Sequence, residues 1–148
     1  MIQRKQTLWF LLGAIVAGLA FVLPYGFKNT TSMMKYNINV ENFKAQDDIW
    51  LLLLFSVIIV IDIGAIFLFK NRKMQSILAG LAIAFCVGAF ALEFFYSTSG
   101  GNQLAFGIAN SSLYIGLLLP ILCVILNIMA LNGVKKDIRL LKETDRLR

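Results

Sequence analysis

Hydrophobic positions along the chain fall into four blocks, separated by short polar stretches, and the second block sets the scale for the rest. Residues 49–69, IWLLLLFSVIIVIDIGAIFLF, are nearly unbroken apolar sequence, followed by the basic cluster Lys70, Arg72 and Lys73. A helix of that length measures about 30 Å at about 1.5 Å per residue, the hydrocarbon thickness of a bilayer. The pattern predicts a membrane span over residues 49–70. A first span is expected over residues 8–27, a third over 76–96 and a fourth over 112–132, with a charged helical tail at 133–148. The chain reads as one membrane domain, 1–148: an all-α bundle of four transmembrane helices.

The polar stretches refine that picture. The opening MIQRKQT and its apolar continuation also describe a secretory signal. However, Pro24-Tyr25-Gly26-Phe27 is not a small-x-small cleavage site and the apolar run is longer than a signal core, so a retained helix is expected. Pro24 is read as the point where this helix leaves the bilayer. Residues 34–40 alternate Met34, Tyr36, Ile38 and Val40 with Lys35, Asn37 and Asn39, the period of a half-buried strand, with an irregular loop as the alternative. Leu104, Phe106 and Ile108 alternate in the third polar stretch, so a small β element formed by the two outer loops is expected. Pro120 is expected to kink the fourth span. Ile138 and Leu141 mark an apolar stripe on the tail, read as an amphipathic helix lying on the headgroups or against a partner.

Composition and charge fit this class. The chain is 59% hydrophobic and 15% charged, outside the range of soluble domains. Its net charge of +6 sits at the ends of apolar blocks, which points to membrane anchoring and away from nucleic acid. Eleven Lys and Arg fall on the face that carries both termini and the 70–75 turn, against three on the other face. Both termini are therefore expected to be cytoplasmic, in an inner membrane.

Histidine is absent, which removes the usual metal ligand and the usual general base near neutral pH. No cofactor and no metal is implied. Cys86 and Cys123 lie in apolar runs at matching depth and form no CxxC pair, so they read as small apolar neighbours.

Candidate packing positions are Gly13 and Gly18 on the first helix and the stripe Gly80, Ala84, Gly88 on the third, where small residues let backbones approach. A neighbouring line on the third helix, Ala82, Cys86, Ala89 and Glu93, also carries small side chains. Asp62 stands in the middle of the second span at a cost of about 3 kcal/mol, which the surrounding Leu, Ile, Val and Phe offset. Asn127 lies at the same depth in the fourth span, about 20 Å from the outer boundary by helical rise, and its amide is expected to bind the Asp62 carboxyl. Glu93 is read as an interfacial acid beside Phe94, Phe95 and Tyr96.

The motifs MIQRKQTLWFLL, FKNRKMQ and KKDIRLLKETDRLR, in this order and spacing, resemble a family of small four-helix inner-membrane proteins of Gram-negative bacteria, catalogued as domain of unknown function 4293. The resemblance covers the whole chain. It implies four spans and a bacterial inner membrane, and brings no activity, substrate or catalytic residue.

Three functions are weighed. The favoured one is an accessory or scaffolding subunit of a larger inner-membrane complex, with lipid and other membrane subunits as partners and room for a homo-oligomer. The alternative is a small proton- or cation-linked transporter or channel using Asp62 with Asn127. A membrane enzyme ranks last, since Asp62 and Glu93 would carry the chemistry alone and at unlike depths. Asp62 itself is read as an interhelical clamp, or as a contact for a basic residue of a partner subunit, ahead of a pathway residue, because no second acid lies at its depth to form a relay.

Overall fold

The computed structural model describes residues 5–31, 38–69, 71–99, 108–109, 112–113 and 116–146. Four helices carry the fold: α1 Lys5–Leu19, α2 Ile49–Phe67, α3 Arg72–Ser99 and α4 Leu119–Arg146. Three stretches are long and apolar enough to cross a membrane, Ile49–Phe67, Arg72–Tyr96 and Gly116–Glu143, whereas α1 is a shorter apolar helix. Each helix packs on its sequence neighbours, and α1 also packs on α4, closing a ring.

One seam on each helix faces the centre. The buried positions are Gln6, Phe10, Gly13, Ala17 and Ala20 on α1 and the turn after it; Leu51, Phe55, Ile58, Asp62 and Ala65 on α2; Gln75, Ala79, Ala82, Cys86, Ala89 and Glu93 on α3; and Leu119, Cys123, Asn127, Ala130 and Val134 on α4. Every step is of three or four residues, as in a coiled-coil seam. Val57, Val60, Ile63, Ile77, Leu81, Val87, Ile121 and Ile125 are exposed, as lipid-facing positions should be.

Helix ends account for several departures from the expected boundaries. α1 stops at Leu19, just ahead of the exit expected at Pro24, and residues 20–23 form a tight turn with Phe21 N–H donating to the Gly18 carbonyl and Val22 N–H to the Leu19 carbonyl. Pro24 lacks an N–H and excludes Leu23 from helical geometry, so the chain unwinds ahead of it. The turn between α2 and α3 is short, because Asn71 caps α3: its Oδ1 accepts from Met74 N–H at 3.3 Å and its carbonyl from Gln75 N–H at 3.0 Å. Arg72 and Lys73 therefore lie on α3 itself.

Pro120 is the second residue of α4, preceded by a 3₁₀ turn, Gly116–Leu118. No kink arises there, since in the first helical turn a proline's missing donor has no intrahelical partner to lose. The expected separate tail is a direct continuation of α4 to Arg146. Val134 is fully buried, Ile138 packs against the cluster of Phe10, Ala65, Ala79, Ala130 and Val134, and Arg72 Nη1 donates to the Asp137 carbonyl at 3.2 Å.

The sheet expected to join the two outer loops does not form among the described residues. Instead β1 (Pro24–Thr31) pairs antiparallel with β2 (Ile38–Lys44), and β3 (Ile108–Ala109) with β4 (Ser112–Leu113). Local hairpins close with less loss of chain entropy than a sheet shared between distant segments. Of the expected strand at 34–40, residues 34–37 lie outside the described residues, as do Leu104 and Phe106.

Candidate functional site

Two apolar cores stack along the bundle, and a polar layer separates them. One core contains Ala17, Leu51, Phe55, Ile58, Cys86, Ala89 and Cys123; the other contains Phe10, Ala65, Ala79, Ala130 and Val134. On α1, α2 and α4 the seam position between the two cores is Gly13, Asp62 and Asn127. The last two are fully buried.

Asn127 Nδ2 donates to Asp62 Oδ2 at 3.4 Å and to the Cys123 carbonyl at 3.2 Å. The acid and the amide sit on α2 and α4, helices on opposite corners of the ring, and Gly13 is what lets them meet. A Cβ at Gly13 would lie 2.8 Å from Asp62 Oδ2 and 3.4 Å from Asn127 Nδ2. The glycine therefore leaves the space that the carboxyl fills. Beside this layer the Cys123 thiol donates to the Gly13 carbonyl at 3.8 Å. The clamp expected from matching depths is present, and Gly13 is part of it.

Among the described residues three buried acceptor atoms have no hydrogen-bond partner: Asp62 Oδ1, Asn127 Oδ1 and Glu93 Oε2. Two of them belong to the same contact. A buried acceptor without a donor carries the full cost of its lost hydration, about 1–3 kcal/mol. A proton on the Asp62 carboxyl would supply a donor within this contact.

Glu93 corrects the sequence reading. It is 1% exposed, because α3 runs six residues past it to Ser99 and the seam rotation turns it inward with Ala89. It does not reach the interface. The stripe Gly80, Ala84, Gly88 faces away from the bundle. Gly80 and Ala84 are exposed, Gly88 is partly so, and no atom lies within 4 Å of a Cβ built at either glycine. Gly18 has the same open surroundings. Of the five packing positions expected, Gly13 alone makes a close approach inside the bundle.

Sequence reasoning passed over Gln6 and Gln75. Gln75 Nε2 donates to the Ala65 carbonyl at 3.1 Å, and the side chain of Gln6 lies against Gly133. Their periodicity was the available signal, since both continue seams defined by small residues. Among the described residues no group of three or more His, Cys, Asp or Glu comes together.

No curated protein and no solved structure matches the chain. A family model does, over residues 2–147. With four helices in one bundle and near-complete coverage, the chain belongs to the family described as Domain of unknown function (DUF4293).

Proposed function

We propose that the chain is an accessory or scaffolding subunit of a larger inner-membrane complex, with no catalytic site of its own. The observation that supports this is the second seam of α3. Its inner seam from Gln75 to Glu93 is buried within the bundle, yet Gly80, Ala84 and Gly88 form another line of small residues with open space beside both glycines. Toward acyl chains such a groove gains nothing over leucine. Toward another helix it permits close backbone approach, which is what drives association in lipid.

The test replaces Gly80 and Gly88 with leucine in the full chain and follows the complex in mild detergent by native gel and mass spectrometry. The unsubstituted chain is expected to migrate with a stoichiometric second membrane protein, and G80L/G88L to migrate without it. Migration of the unsubstituted chain alone would remove the proposal.

A second reading, a small proton- or cation-linked transporter or channel, is favoured by one specific observation: Asp62 Oδ1, Asn127 Oδ1 and Glu93 Oε2 are buried acceptors without donors inside the bundle. Intramembrane acids are commonly parts of ion pathways. In this reading Asp62→Asn abolishes flux into proteoliposomes while leaving the bundle assembled. Flux that is unchanged in Asp62→Asn would exclude it.

A further inference from the structure

We infer that the inner end of α4 holds the phosphate headgroup of an anionic phospholipid, at a site formed by Lys135, Lys136 and Arg139. The argument begins with helix geometry. Ile125, Ile128, Met129, Asn132, Lys136 and Arg139 each lie three or four residues from another of the set and therefore share one face of α4. All six are exposed, so that face points away from the bundle.

Along this face an apolar rail ends at Met129, and cations begin at Lys135. From Ile128 to Lys136 the axial rise is about 12 Å, which suits a phospholipid whose chains lie along the rail and whose headgroup meets the cations. A single helix face thus repeats the amphiphile's own order, apolar then anionic-binding.

The level along the bundle agrees. Arg72 Nη1 donates to the Asp137 carbonyl, which ties the basic start of α3 to the same height on α4. Arg72 precedes the apolar part of its helix, so Asp137 stands at a hydrocarbon boundary, with Lys136 and Arg139 beside it. Lys135, Lys136, Arg139, Leu140 and Glu143 line a concave patch there. Glu143 is the one acid of that patch, and its Oε1 accepts from Arg139 Nε at 3.1 Å, with the two side chains 56% and 82% exposed. Exposed pairs of this kind contribute little, so a phosphate that also engages Lys135 and Lys136 can replace the carboxylate. Neutral headgroups gain no such exchange.

The test reconstitutes the full chain in phosphatidylcholine vesicles and compares spin-labelled phosphatidylglycerol with spin-labelled phosphatidylcholine in the motionally restricted fraction. Phosphatidylglycerol is expected to be preferred severalfold, and the preference to weaken as salt rises. K136Q/R139Q is expected to return it to parity, while Lys73→Gln, an exposed cation on α3 at the same level, leaves it nearly intact. Equal retention of both lipids by the unsubstituted chain overturns the inference. So does an equal loss with Lys73→Gln, which would indicate a diffuse positive field, and so does full displacement by inorganic phosphate at the headgroup concentration, which would indicate a soluble anion as the ligand.

Discussion

Methyl groups added one at a time separate the glycines that the fold requires from those it leaves free. At Gly13 the new Cβ meets Asp62 Oδ2 at 2.8 Å, and a short carboxyl already bound by Asn127 has little room to retreat. Gly13→Ala is expected to cost about 1–3 kcal/mol, the usual range for overpacking, read as a lower thermal midpoint in detergent. Gly133→Ala brings a Cβ to 2.7 Å from Gln6 Cγ, but a glutamine on the first turns of α1 has several torsions with which to move. Its loss should be smaller, despite the shorter distance. Gly80→Ala and Gly88→Ala meet nothing within 4 Å and are expected to lose no stability. A G80A penalty equal to that of G13A would contradict the outward placement of that stripe. Asn127→Ala takes the donor from Asp62 Oδ2 and should cost about 1 kcal/mol, the scale of interhelical hydrogen bonds in membranes.

At the scale of the helix, the Asp62–Asn127 contact was legible in the sequence because two costly groups at equal depth in greasy helices have strong reason to meet. The face of α3 was legible only in part. Its two candidate lines, Gly80-Ala84-Gly88 and Ala82-Cys86-Ala89-Glu93, are equally small, so side-chain volume does not choose between them. Polarity does: the second line continues to Gln75 and ends at Glu93, and lipid-facing amide or carboxyl groups cost far more than lipid-facing glycines. Depth misled for Glu93, because a boundary set by hydropathy stopped α3 at 96 while its backbone bonds continue to Ser99. The outer connections were harder still, since alternation over a few residues marks a strand without naming its partner. Two helix ends yield tests. Asn71→Ala removes the cap on Met74 N–H and should cost about 1 kcal/mol, measured by chemical unfolding. Pro120→Ala should change helicity little by circular dichroism, since Pro120 lies in the first turn of α4, where proline breaks no backbone bond.

For the whole molecule, the contacts of Gln6 with Gly133 and of Arg72 with Asp137 bring the start of α1, the start of α3 and the inner half of α4 to one end of the bundle. Ala45–Asp47 and the start of α2 lie at the other. The first end is expected to face the cell interior, because Arg72, Lys73, Lys135, Lys136, Arg139 and Lys142 crowd it and cytoplasmic boundaries collect such residues. Both native cysteines are fully buried, so a membrane-impermeant maleimide has no target on the unsubstituted chain. That silence makes single introduced cysteines informative without removing the native pair. Gln46→Cys, at an exposed position of the 3₁₀ turn before α2, is expected to label in intact cells. Lys142→Cys is expected to label only after the membrane is opened. The reverse pattern would invert the whole bundle and carry the α4 cation patch, with the lipid it is inferred to hold, to the outer leaflet.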